Sequence, residues 1–360
     1  MHDKPREVLG IPLDRLDAVE ALVRQASEDS INPAVAPVIE RISLPDSAGI
    51  ERALVRVEVP PSLFVHQSTG GYYARIGSSK RPIPPDQLAR LFQQRSQARL
   101  IRFDESPVPQ ATIDDLDEVL WKRFATARSV DAREGLLSKL AMAKQDEAGA
   151  WRPSVTGMLL ACRAPEAFLS TAFIQAVAYR GTTVSPQSEA AYQRDAQDIT
   201  GPLDQQIFNA CDFVDKNMRI SATKSNKGGR KDTPQFDMPA VFEALANAVA
   251  HRDYSMYGSK VRLRLFDDRL ELYTPRLLVN TMTPESLPYR QAARNEAITS
   301  LLARCPIERE PFADHRDYIM EKRGEGVPTI LHRSESLSGR TPEYRLIDES
   351  ELLLTIHAAC

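Results

Sequence analysis

The sequence predicts a mixed α/β (α+β) chain in three parts. These are a small N-terminal α/β unit over residues 1–110, a mainly helical connector over 111–200, and a C-terminal α/β module over 201–360, whose first part the connector supplies. Three observations carry this reading. Helically spaced apolar residues at 13–26 and 84–100 flank segments rich in β-branched residues. An Ala- and Leu-rich run over 238–254 reads as one strong helix. Immediately after it, KVRLRLFDDRLELYTP alternates, turns at Asp267-Asp268 and alternates again, as a hairpin does.

From the N-terminus, LDRLDAVEALVRQA (13–26) is the first helix, and VAPVIERISL and RALVRVEVPP are two strands. GGYYARIGSS gives a third strand between a Gly70-Gly71 turn and a Gly-Ser turn. PPDQLARLFQQRSQARL is a helix entered through Pro and Asp. So few strands with so little cover are marginal on their own. Beyond a Pro-rich connector, Thr112 can cap a helix with Asp115 three residues on. Residues 131–180 read as mostly helical. The basic run 215–235 reads as an exposed loop, either simply solvated or contacting phosphate.

Composition excludes several classes of protein. With 46 basic against 49 acidic residues and a net charge of -3, the chain cannot coat nucleic acid by bulk charge; a local patch would be needed. Four scattered cysteines, Cys162, Cys211, Cys305 and Cys360, form no CxxC pair, which argues against a zinc or disulfide framework. The N-terminus is charged from its second residue, unlike a signal peptide. The apolar stretch at 167–179 is too short to span a bilayer. The expectation is a soluble cytoplasmic protein without membrane partners, in which homo-oligomer formation is left open.

The C-terminal third carries the chemistry. Glu243, Asn247 and His251 are spaced four apart and share one stripe of the 238–254 helix. A carboxamide oxygen is a hard ligand for Mg²⁺, and a carboxylate can orient or deprotonate a water attacking a phosphate. On its own such a stripe is more often a polar surface. Further on, EKRGEGVPTILHR places Gly324 and Gly326 just before a helix, where backbone N–H groups and the helix dipole favour an anion. A long connection between hairpin and glycines has the character of a lid. No G-x-x-x-x-G-K-[ST] phosphate loop occurs, so a helicase motor is excluded.

This ordered set resembles the Bergerat (GHKL-type) ATP-binding fold of gyrase and histidine kinases. EALANAVAHRDYSMYGSKVRLRLFDDRLELYTP is more closely similar to its divergent form, the RecG-like helicase C-terminal, HATPase-related family, and RNEAITSLLARC and MEKRGEGVPTI match later elements. The resemblance implies a two-layer α/β sandwich binding ATP and Mg. Glu243 would be the general base or water-positioning acid, Asn247 the Mg ligand, and Gly324 and Gly326 the phosphate loop. His251 would touch phosphate or simply pack, and Arg252 and Asp253 would pin the helix end or touch a ligand.

The chain departs from the Bergerat pattern after the second hairpin strand, reading Thr274-Pro275-Arg276-Leu277 in place of an Asp-x-Gly-x-Gly turn whose Asp reads adenine. PIEREPFADHRDYI is an insertion before the glycines. In the N-terminal part, GGYYARIGSSKRPIPPDQLARLF resembles the closing strand and helix of an AlbA-type, Schlafen-like nucleic-acid-binding domain, here partial. Its nuclease carboxylates find no match, so no nuclease is expected. Tyr73, Arg75, Lys80 and Arg81 could stack and pair with nucleic acid, or form a packed aromatic strand with a basic turn.

The resulting expectation is an ATP-binding, nucleic-acid-linked regulator of transcriptional or mobile-element defence type, with slow ATPase turnover left open. The alternative is a non-catalytic DNA-, RNA- or protein-interaction protein that keeps the fold and has lost the nucleotide.

Overall fold

The computed structural model describes residues 8–359 apart from 33, 36, 60–64, 77–78, 97–101, 126–130, 147–148, 185–191, 225–229, 277, 279–281, 308–311, 313–315, 322–323 and 349. The chain divides into two compact units, Met1–Leu100 and Ile101–Cys360.

The first unit runs α1 (Leu16–Asp29), β1 (Ile31–Asn32), β2 (Val38–Pro45), β3 (Glu51–Glu58), β4 (Gln67–Ser68), β5 (Tyr73–Ile76), β6 (Ser79–Pro82) and α2 (Pro85–Ser96). Among the described residues its strands pair in twos, as the antiparallel ribbons β1–β4, β2–β3 and β5–β6. The β2–β3 turn is organised by Asp46, whose carboxylate accepts from the Ala48 and Ile50 N–H groups at 2.9 Å each. Leu16 and Val65 are the buried hydrophobic residues among those described in this unit. The segment expected as a third strand is one arm of a hairpin of its own; the expected Gly-Ser turn at 77–78 lies outside the described residues.

The second unit opens with α3 (Glu118–Lys122), α4 (Arg133–Lys139), β7 (Ala143–Gln145), β8 (Trp151–Pro153) and α5 (Val155–Ala161). It continues with β9 (Ile174–Tyr179), β10 (Gln193–Ile199), α6 (Leu203–Asn217), β11 (Ile220–Lys224), β12 (Arg230–Pro234) and α7 (Met238–His251). It closes with β13 (Val261–Leu265), β14 (Arg269–Pro275), α8 (Glu296–Leu302), α9 (Gly326–Ser338), β15 (Glu343–Ile347) and β16 (Glu351–His357).

Six of these strands form one mixed sheet in the order β10-β9-β13-β14-β16-β15, antiparallel throughout except for the parallel β9–β13 pair. The helices follow the same order: α6 contacts β9 and β10, α7 contacts β14, and α9 contacts β16, while α7 packs against both α6 and α9. The result is a two-layer α/β sandwich. Its core runs from Val108 to Ile356, so residues 101–200 are part of the same hydrophobic body as the sheet.

Three expectations need correction. Residues 131–180 are mixed, and their apolar end is β9, an interior strand with Ile174, Ala176 and Ala178 fully buried. Short apolar runs do not distinguish a buried strand from a buried helix, and here sheet pairing decides. The basic run 215–235 begins in α6 and then forms the β11–β12 ribbon, with its tip outside the described residues. Thr112 also begins less than expected: Asp115 accepts its N–H at 2.7 Å over a single turn, and Asp117 caps the true helix by accepting from Val119 and Leu120.

Candidate functional site

Helix α7 builds one wall. Asp237 caps it by accepting the Ala240 N–H at 3.0 Å, and Pro239 sits in its first turn. Ala240, Ala244, Ala246, Ala248 and Ala250 are all buried, which lets the helix sink between its neighbours. Its C-terminal end is pinned. Asn295 Nδ2 donates to the Ala250 and Arg252 carbonyls at 2.9 and 2.8 Å, and the Arg252 guanidinium donates to Thr171 Oγ1 at 2.7 Å and Ser259 O at 2.8 Å. Asp253 pairs with Arg294 at 3.1 Å. Arg252 and Asp253 thus fasten the helix end.

The sheet forms the floor. Leu272, Thr274 and Arg276 alternate along β14 and just past it, so they share one face. Register sets Leu272 beside Leu354, Thr274 beside Leu352, and Leu354 beside Tyr344. Between floor and α7 lies a cavity of ≈ 390 Å³. Glu243, Asn247, His251, Gly324 and Gly326 all line it, although up to 83 residues separate them (326 − 243).

At one end Glu243 is buried, with 4% exposure. Asn247 Nδ2 donates to its Oε1 at 3.0 Å and to its backbone oxygen at 2.9 Å, leaving Asn247 Oδ1 as the amide's acceptor. Arg316 donates to Glu243 Oε2 from the connection before the glycines, with Glu321 3.8 Å from its Nε. Gly326 opens α9 and lies hard against this pair. A Cβ there would stand 2.2 Å from Glu243 Oε1 and 2.8 Å from Asn247 Nδ2. Gly324 needs its glycine for a second reason: its φ is +74°, and a Cβ would meet the Gln291 amide at 1.8 Å.

The acid and amide face the glycines and lie directly against Gly326. The open volume lies beside that contact. The physical reason is that a buried carboxylate requires compensation, which Arg316 and Asn247 supply. Helix α9 has no side-chain cap at Glu325, so the N–H groups of its first turn are not met by a capping side chain.

At the other end, His251 is enclosed, and burial, then Arg276 and Arg294, pull its imidazole down to about 3, so it is neutral at neutral pH. Its Nδ1 is buried without a hydrogen-bond partner. Burial pushes the Tyr344 phenol up, so it too is neutral. Burial and then Arg294 pull Arg276 down to about 10, which leaves it a cation.

Sequence reasoning missed Arg316 and Arg276 as site residues. Both carried a signal: Arg316 lies in the insertion PIEREPFADHRDYI, and Arg276 is the second residue of the Pro275-Arg276 step after the hairpin.

Tyr73, Arg75, Lys80 and Arg81 belong to the first unit. The β5–β6 register pairs Arg75 with Lys80 and Tyr73 with Pro82, so Tyr73, Arg75 and Lys80 share a face while Arg81 lies on the other. Lys80 Nζ stands 3.9 Å from the Tyr73 ring centroid. Tyr72 packs edge-on against Phe92 at 5.5 Å, whereas Tyr73 is exposed.

Among the described residues no helix is long and apolar enough to cross a membrane. No curated protein matches the sequence. The chain is similar in fold to the DIP2311 protein from Corynebacterium diphtheriae, with a TM-score of 0.50 and 19% identity; the match covers 100% of this chain and 65% of the other. At that identity the likeness speaks for the fold alone. Residues 258–356 match the family model described as "Putative ATP-dependent DNA helicase recG C-terminal". That match covers β13 through β16, the floor of the cavity and both of its glycines. Over this segment the chain is similar to the RecG-like C-terminal, HATPase-related family.

Proposed function

We propose that the second unit is a Bergerat-type module that binds Mg·ATP in the cavity between α7, the Gly324–Gly326 turn and the β14–β16 floor, and that nucleotide state regulates a nucleic-acid-linked function of the protein. The family match suggests ATP binding. The observation that carries the finer reading is the single cavity joining the Glu243–Asn247 stripe to the uncapped start of α9. Its ≈ 390 Å³ falls within the range of about 300–1,000 Å³ usual for small-molecule pockets.

The residues fit the group. Glycine at 326 lets the start of α9 approach Glu243 and Asn247 closely beside the open volume. Asn247 Oδ1 would hold the metal, and the Gly326 and Val327 N–H groups would meet phosphate at the positive end of α9. When bound, Mg²⁺ would supply charge neutralisation of the phosphates. Glu243 would orient a water, a role that requires Arg316 to release its carboxylate. Arg316 is then free to meet the charge that displaced it. The apolar floor, Leu272, Leu352 and Leu354, excludes water from beneath the ligand.

The regulatory half of this reading draws on the exposed Tyr73, Arg75 and Lys80 face of the β5–β6 hairpin, whose ring and cations suit a single strand.

The test is a thermal shift with and without millimolar Mg·ATP. Ligand at 100 times its Kd stabilises by about 2.7 kcal/mol, so the unfolding midpoint should rise, and EDTA should remove most of the rise. Glu243→Ala should retain the shift and lose any turnover.

A second reading has one observation in its favour. Glu243 is already satisfied by Arg316 and Asn247, as suits a protein that keeps the fold without the nucleotide. No shift at millimolar Mg·ATP would select it.

A further inference from the structure

Arg276 is the odd residue of the cavity. It follows β14 directly, and its backbone N–H donates to Ser350 O at 3.0 Å, which fixes where its side chain starts. Leu272, Thr274, Leu352 and Leu354 lie along the same floor of the cavity.

The nearby charges do not compensate it. Arg294 is a like charge already paired with Asp253, His251 is neutral, and the Tyr344 phenol is neutral. Among the described residues, no carboxylate lies within ion-pair distance of the Arg276 guanidinium, and no acceptor takes its N–H groups. Glu243, the buried acid of the same cavity, is held by Arg316. A half-buried cation without a partner contributes nothing to offset its lost hydration. The guanidinium also keeps a five-donor fork, which suits two parallel acceptors.

Distance along α7 separates this end from the other. His251, which feels the charge of Arg276, is eight residues beyond Glu243, or about 12 Å along the helix axis. A ligand whose phosphates lie at the α9 N-terminus must be long to reach Arg276.

We propose that Arg276 binds the ligand directly, its guanidinium taking a paired-acceptor group of the bound nucleotide: the O6/N7 edge of a guanine base or the oxygens of a phosphate. This rests on the nucleotide reading above and adds to it a named contact and a chemistry. Adenine offers an amino donor beside N7, which a donor-only fork cannot pair in this way.

The experiment measures Arg276→Gln and Arg276→Leu beside the unaltered full chain, with two readouts. The first is the unfolding temperature without ligand. The second is calorimetric affinity for ATP, GTP, ADP and GDP, each with Mg²⁺. The expected result is an unfolding temperature equal to or above that of the parent, with affinity at least tenfold weaker. A loss confined to the guanine nucleotides, in a parent that prefers them, assigns the base edge. An equal loss for ATP and GTP assigns a phosphate. If both variants unfold earlier than the parent, or bind as tightly as it does, Arg276 is structural and the proposal is overturned. If the unaltered chain binds no nucleotide, the reading on which the proposal rests has failed, and that outcome is recognisable from the parent alone.

Discussion

The two ends of the cavity treat charge in opposite ways. At the Glu243 end every charge is answered from within the chain: Arg316 holds one carboxylate oxygen, Asn247 the other, and the start of α9 lies against both. At the Arg276 end a guanidinium lies near a neutral histidine and a neutral tyrosine. The first arrangement is closed and self-sufficient. The second is open and lacks an acceptor.

The sharpest way to break the comparison is to remove the internal answer at the Glu243 end. Arg316→Ala leaves a buried carboxylate without its cation. The loss of stability should approach about 3–5 kcal/mol, reduced by the solvent access Arg316 retains, and urea denaturation would measure it. Adding Glu243→Gln should recover most of the loss, because the stranded charge is then gone. If Arg316→Ala alone is neutral, the two ends do not differ as described.

Gly326→Ala probes the same end through shape. The added methyl meets Glu243 Oε1 at 2.2 Å, so overpacking should cost about 1–3 kcal/mol. Gly339→Ala, where an added Cβ meets nothing within 4 Å, strains a left-handed cap and leaves the Glu243 contact alone. Nucleotide affinity should therefore fall for the first variant and hold for the second.

Acidification probes the other end. His251 is held near 3 in the folded chain, against 6.5 when free, by burial and the nearby Arg276 and Arg294. Between those values the unfolded chain binds the extra proton, so stability is lost as pH falls through this window. The slope from this group is at most about 1.4 kcal/mol per pH unit. Denaturation midpoints between pH 6.5 and 4 should be flatter in His251→Gln, and an unchanged slope would place the acid sensitivity elsewhere.

Much of the site's scaffold was legible in the sequence because its signals are local. Helix α7 and the β13–β14 hairpin follow from composition and alternation, and the shared stripe of Glu243, Asn247 and His251 follows from helical spacing. What was not legible depends on distant parts of the chain. The β9 run was ambiguous until pairing with β10 and β13 made it a strand. The β11–β12 ribbon is polar along both arms, so it lacks the alternation by which strands are recognised. The Arg316–Glu243 pair joins residues 73 apart, and no spacing rule reaches that far. Arg276 was visible as a departure from the Bergerat turn, but its lack of an acceptor is a property of its neighbours.

The measurement that bears most directly on the account is calorimetry of Mg·ATP binding to the intact chain and to Asn247→Ala. Nδ2 of Asn247 is spent on Glu243 and Oδ1 remains for a cation, so the variant should lose Mg-dependent binding by a hundredfold or more (about 2.7 kcal/mol) and still fold. Equal ATP affinity in the two proteins would contradict the metal assignment and, with it, the placing of the nucleotide against α7.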